Sequence, residues 1–163
     1  MRLLIVRHAA AVERGEGGFA DDDRPLTPEG ERKFKEAAKG AAKLFDEPAM
    51  ILTSPLPRAL RTAEILRDAF GAGVPLKPTT ALSYGTFDEL EGLVTSYPKD
   101  SLVAIVGHEP TLSELLARLV GASEAGPFGF KKGGMALVAL KKGLQPGAAL
   151  EHFLPPKALR ELA

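Results

Sequence analysis

The chain has 163 residues, and its 21 basic and 21 acidic side chains cancel to a formal net charge of zero. That length is expected to form one domain, residues 1–163, with a core of its own, and the balanced charge offers no global field to recruit nucleic acid or an anionic membrane. Cysteine is absent, which removes disulfides, thiolate metal sites and cysteine nucleophiles together.

The longest apolar run near the start, Leu3–Val6, is too short for a signal segment or a membrane span, so a soluble cytoplasmic protein is expected. Met1–Val6 has no helical period and predicts a buried strand. Residues 9–26 read as loop, with Gly15, Gly17 and Gly18 and the acidic run Asp21–Asp23. Thr27-Pro28-Glu29 supplies a capping hydroxyl, a first-position proline and an early acid, and so predicts a helix start. Phe34, Ala37, Ala38, Ala41, Leu44 and Phe45 continue that helix at its period. Met50–Thr53 predicts a second strand ended by the prolines of SPLP, and Arg58–Phe70 a helix closed by Gly71. A brief strand at Val74–Lys77 and a short helix at Phe87–Tyr97 precede Leu102–Val106, the clearest buried strand of the chain. After Pro110 an amphipathic helix aligns Leu112, Leu115, Leu116, Leu119 and Val120 and stops at Gly121. Met135–Leu140 and Ala149–Leu154 predict two further strands about a turn-like GLQPG, and Lys157–Leu162 a closing helix. The alternation predicts an α/β three-layer sandwich, with a mainly parallel central sheet and helices on both faces. Asparagine is absent, Gln145 is the single glutamine and there are 13 prolines. Thermophilic proteins show that bias, and a GC-rich genome produces it too.

Two of the three histidines, His8 and His108, directly follow apolar runs. In such a fold ligands bind outside the carboxyl ends of the parallel strands, so neighbouring strands would bring both imidazoles to one edge. Arg7 adjoins His8, and Arg58 in SPLPRALRTA follows a third strand near a helix start; Arg61, three residues on, is the alternative rim residue. Guanidinium forks match phosphate or carboxylate oxygens, and a helix N-terminus adds N–H donors. Two cations also hold a neighbouring imidazole neutral, which leaves a ring nitrogen free to attack. Anion clamps around a free imidazole suit phosphoryl transfer through a phosphohistidine.

These residues carry a likeness. LLIVRHAAA resembles the Arg-His-Gly signature of the histidine phosphatase (phosphoglycerate mutase-like) superfamily, and RPLTPEG its downstream Leu-Thr-x-x-Gly element. SPLPRALRTA is similar to its Ser-x-x-x-Arg-x-x-x-Thr-Ala helix start, and VGHEP to its second-histidine motif. The small size and RPLT look most like the SixA phosphohistidine phosphatase subgroup. The resemblance implies a metal-independent phosphatase without cofactor, in which His8 accepts the phosphoryl group. It further implies that Arg7 and Arg58 clamp the phosphoryl oxygens while His108 donates to them. Arg24 in RPLT is either a further phosphate contact or an ion-pair partner of Asp21–Asp23, and His152 reads as a surface residue. The implied substrates are a phosphorylated protein histidine or a small phosphorylated metabolite.

Two departures accompany the likeness. Ala9 stands where the signature has glycine, and alanine would be strained only if the backbone there needed positive φ. Larger members carry a general-acid glutamate in a stretch where this chain has Ala81-Leu82-Ser83-Tyr84; Asp88, Glu89, Glu91 and Glu109 are the nearest carboxylates, and none fits the pattern. Two other readings stay open. A metal hydrolase would use His8, His108 and Asp21–Asp23 as ligands, against the repulsion of Arg7, and a phospho-ligand binding module would keep the clamp without turnover.

Overall fold

Strand β1, Arg2–Arg7, lies inside a six-stranded sheet in the computed structural model, which describes residues 1–163. The other strands are β2, Met50–Thr53; β3, Leu76–Pro78; β4, Leu102–Gly107; β5, Met135–Ala139; and β6, Ala149–Leu154. Their order across the sheet is β3-β2-β4-β1-β5-β6. The pairs β1–β4, β2–β4 and β2–β3 are parallel, whereas β5 runs antiparallel to both β1 and β6. The sheet is thus mainly parallel, with a reversed hairpin strand beside β1.

Helices α1, Pro28–Leu44, α2, Pro57–Phe70, and α5, Pro156–Glu161, cover one face, and α3, Phe87–Val94, and α4, Thr111–Val120, the other. Strand side chains alternate between the faces, as the pleat requires. Leu4, Val6, Ile51, Ala104 and Val106 pack with α1 and α2, while Leu3, Ile5, Leu52, Val103 and Ile105 pack with α3 and α4. Buried on both faces, β4 needs apolar residues at every position, which is why its sequence shows no alternation. No helix is long and apolar enough to cross a membrane.

The Thr27 hydroxyl caps α1 by accepting from the Gly30 N–H at 2.9 Å, with Pro28 at the first position. Gly30 is required there, because a Cβ would lie 2.2 Å from the Ala10 carbonyl oxygen. The start of α1 therefore rests directly on the chain that leaves β1. Helix α3 stops at Val94, short of the expected Tyr97. The Thr95 and Ser96 hydroxyls donate to the Glu91 and Leu93 carbonyls, both at 2.7 Å, and compete with the next helical turn. Strand β3 starts at Leu76 rather than Val74, since the Val74 N–H closes a turn onto the Gly71 carbonyl. Strands β1 and β4 each run one residue beyond expectation, to Arg7 and Gly107, so each histidine is the first residue past its strand.

Candidate active site

The register of the sheet assembles the site. Arg7 pairs with Gly107 across β1 and β4, and Thr53 of β2 pairs with Val106 on β4's other side. His8, His108 and Ser54 are therefore the next residues of three adjacent parallel strands. The two imidazole rings lie 5.2 Å apart between centroids. Helix α2 starts with Pro57, which puts Arg58 in its first turn beside the same edge. The four residues singled out from the sequence, Arg7, His8, Arg58 and His108, come together here.

Buried His8 has a defined tautomer. Its Nδ1 lies 2.7 Å from the Ala9 carbonyl oxygen, which only accepts, so Nδ1 carries the proton and Nε2 is bare. Ala9 costs no backbone strain, because no residue other than glycine has a positive φ. Its N–H donates to the Thr62 hydroxyl at 3.0 Å, and that hydroxyl donates to the Arg58 carbonyl at 2.7 Å. Thr62 thus ties the end of β1 to the first turn of α2. The sequence assigns no role to Thr62 or Ser54, although both stand in the SPLPRALRTA stretch; the signals were the serine at the strand end and the threonine one turn after Arg58.

The guanidiniums are held by backbone oxygens. One Arg7 nitrogen, Nη1, donates to the Phe130 carbonyl at 2.5 Å, and Nη1 of Arg58 donates to the Asp21 carbonyl at 3.0 Å. Buried Arg58 is therefore the rim arginine. Arg61 turns away and pairs with Glu31 at 2.9 Å and Glu64 at 3.0 Å, which raises its pKa. Residues Asp21–Asp23 form a single helical turn over Arg58. Arg24 is buried and committed to that loop through Asp21 Oδ1 at 2.9 Å and the Val12 carbonyl at 2.8 Å. Burial is the main force that lowers the pKa of Arg58 and of His108, and the charge of Arg24 adds to both. Glu109 accepts from the Ser113 hydroxyl at 2.7 Å, and its other oxygen is buried without a partner. Half-exposed His152 lies edge-on to Phe45, away from this edge, and no three His, Asp or Glu side chains converge anywhere in the chain.

Three buried nitrogens at the site lack any partner: Arg7 Nε, Arg58 Nε and His108 Nδ1. Burial is the main force that lowers the His8 pKa to about 3, aided by His108, Arg58 and Arg7 and opposed by the Ala9 carbonyl. Burial, then Arg58, lowers that of His108 to about 4, against the opposing charge of Asp22. Both rings are neutral at pH 7. A cleft of about 320 Å³ adjoins Ala9 and Ala10, lined by Lys33, Lys131, Lys132 and Arg160 against one carboxylate, Glu29. None of Arg7, His8, Arg58 and His108 lines that cleft, and its Lys33 and Lys132 pair with Glu29 and Glu13. The edge itself offers a bare imidazole nitrogen and unpaired nitrogens.

These pKa values have a consequence for stability. In an unfolded chain each imidazole takes its proton near pH 6.5, but in the fold only near pH 3 for His8 and pH 4 for His108. Between those limits the unfolded state holds more protons, so stability rises with pH and is lost on acidification, by up to about 1.4 kcal/mol per pH unit for each ring. Urea midpoints are expected to drop from pH 6.5 towards pH 4, and to drop less steeply in His8→Asn. Parallel slopes for the two proteins would remove His8 from this account.

A family model, histidine phosphatase superfamily (branch 1), matches residues 3–96. An uncharacterised protein of Picosynechococcus sp. is 35% identical over 155 residues, which cover 91% of this chain and 87% of that protein. Among solved structures, the candidate phosphohistidine phosphatase SixA from Agrobacterium tumefaciens superposes with a TM-score of 0.79 at 26% identity, covering 95% of this chain and 97% of that one. The protein histidine phosphatase SixA complexed with tungstate shares the fold with a TM-score of 0.83 at 22% identity, over 98% and 99% of the two chains. The α-ribazole phosphatase from Shigella flexneri shares it too, with a TM-score of 0.71 at 16% identity over 96% and 97%.

Proposed function

We propose, because this chain belongs to the histidine phosphatase superfamily (branch 1), that it is a metal-independent phosphatase working through a phosphohistidine at His8. The observation that carries the reading is the bare Nε2 of His8 beside three buried, unpaired nitrogens of Arg7, Arg58 and His108. In the first step the Nε2 lone pair attacks phosphorus and the bond to the leaving atom breaks. The Ala9 carbonyl accepts from Nδ1–H and so stabilises the positive ring that results. Arg7, Arg58 and His108 are the proposed donors to the phosphoryl oxygens, where charge-assisted bonds are strongest; Arg24 adds field from the loop. In the second step water attacks phosphorus, the P–Nε2 bond breaks, phosphate leaves and the bare imidazole returns.

The substrate class we favour is protein phosphohistidine, on the likeness to the Agrobacterium SixA structure along nearly the whole of both chains. A small phosphorylated metabolite is the second reading, favoured by 32% identity over 94 residues, 55% of this chain and 37% of that protein, to the 2,3-bisphosphoglycerate-dependent phosphoglycerate mutase of Thermobifida fusca. The test is to quench the enzyme during turnover of labelled substrate, in EDTA. An acid-labile, alkali-stable label on the unmodified chain that is absent from His8→Ala is the expected result. Label that persists in His8→Ala would move the nucleophile elsewhere, and turnover that stops with the chelator would point to metal chemistry. Bound substrate without any label or turnover would leave a binding module.

A further inference from the structure

The hydrogen-bond inventory around the second histidine points to a residue with no assigned part in the reaction. Ser54 is fully buried, and its groups can be counted completely. The backbone N–H donates to the Val106 carbonyl at 3.0 Å, and the Ser54 carbonyl accepts from the Thr53 hydroxyl at 3.1 Å. The side-chain oxygen accepts from the Leu56 N–H at 3.2 Å. One group is left, the hydroxyl proton, and one further atom lies within bonding distance of that oxygen: Nε2 of His108, at 2.8 Å.

We infer that Ser54 is a positioning residue that donates its hydroxyl proton to His108 Nε2 and thereby keeps the His108 proton on Nδ1. The opposite tautomer would aim Nε2–H at the serine oxygen. The serine proton would then have no acceptor in a buried site, a cost that native interiors avoid. The assigned arrangement satisfies the serine entirely and leaves His108 with one unpaired donor, Nδ1–H, buried beside His8. That donor is what a phosphoryl oxygen requires. The inverse tautomer would present a lone pair to the same oxygen and repel it. His8 and His108 thereby divide the work: one ring exposes a lone pair because a carbonyl takes its proton, the other exposes a proton because a hydroxyl fills its lone pair. Thr53 and Leu56 in turn hold Ser54, so the short turn between β2 and α2 carries the group that orients His108 and leads into the first turn of α2, which carries Arg58.

The tautomer can be read without substrate, so this arm stands apart from the phosphatase reading on which the kinetic arm rests. In the ¹⁵N-labelled full chain at neutral pH, long-range proton–nitrogen correlation spectra should show His108 protonated at Nδ1 and bare at Nε2. His8, with Nδ1–H donating to Ala9, is the internal standard. Ser54→Ala should release His108 to a mixture of tautomers and leave the His8 signals in place. It should also lower kcat about 10- to 100-fold, the usual loss when an orienting partner is removed, with KM changed less than twofold. Ser54→Thr, which keeps the hydroxyl, should restore both signals and kcat. His108 protonated at Nε2 in the unmodified chain would overturn the inference, whether or not any variant folds. So would a Ser54→Ala protein with the native tautomer, or one with altered tautomers and undiminished kcat.

Discussion

Arg58→Ala should turn substrate over about 100- to 1,000-fold more slowly than the unmodified chain, the loss that follows removal of a donor to a developing oxyanion. Arg58 is 6% exposed, its Nε is buried without a partner, and its Nη1 is fixed by the Asp21 carbonyl. A guanidinium fixed at one nitrogen and free at another is already oriented, so little ordering remains to be done when the phosphoryl group arrives. Arg58→Lys keeps the charge and loses the fork, and its rate should fall between the two. Stability should change modestly, because the Asp21 carbonyl keeps a second donor, Arg24 Nε, at 3.2 Å. The comparison is Arg61→Ala, whose partly exposed ion pairs with Glu31 and Glu64 contribute about 0–1 kcal/mol to stability and nothing to the site. Steady-state kinetics of the three variants decide the matter. If Arg61→Ala proved the damaging change and Arg58→Ala the mild one, the assignment of this turn would be wrong.

Phosphohistidine and aryl phosphates should be hydrolysed about 10²- to 10⁴-fold faster, in kcat/KM, than glycerol phosphate or phosphoserine. That range is what general-acid catalysis contributes. An alkyl ester expels an alkoxide and needs a proton in the transition state. A phosphoramidate is protonated on its leaving nitrogen by water, and an aryl oxide departs unaided. Where larger relatives are expected to hold a glutamate, buried Leu82 and half-exposed Ser83 offer no carboxylate. Tyr84 is a poor substitute: its hydroxyl donates to Asp22, and that bond raises its pKa further. Glu89 and Glu91 are also committed elsewhere. Glu89 completes the cap of α3, and Glu91 accepts from the Leu144 N–H at 3.0 Å. The measurement is kcat/KM along that substrate series at one pH. Equal values for phosphoserine and phosphohistidine would mean that a carboxylate near the rim supplies the proton, and Glu109→Gln and Asp22→Asn would identify which.

Local physics made much of this protein legible before its structure. The apolar runs that become β1 and β4, the Thr27-Pro28 start of α1 and the stop of α4 at Gly121 depend on neighbours within a few residues, and they lie where the sequence placed them to within one residue. The placement of His8 and His108 past strand ends was equally local. What the sequence alone left open depended on pairings between residues far apart in the chain. Only the sheet order sets β4 between β1 and β2, and only its register aligns Arg7 with Gly107 and Thr53 with Val106, bringing His8, His108 and Ser54 side by side. Arg58 and Arg61 stand three residues apart on one helix and are equivalent by spacing; contact with the Asp21–Asp23 turn on one side and Glu31 on the other separates them. The bare Nε2 of His8 follows from its single bond to Ala9, and the depressed pKa of both rings follows from burial and then from the neighbouring cationic side chains. Composition and period determine where strands and helices form, because those preferences are summed along the chain. Tertiary contact decides which ring nitrogen is left bare, because desolvation and hydrogen-bond partners exist only once the strands are side by side.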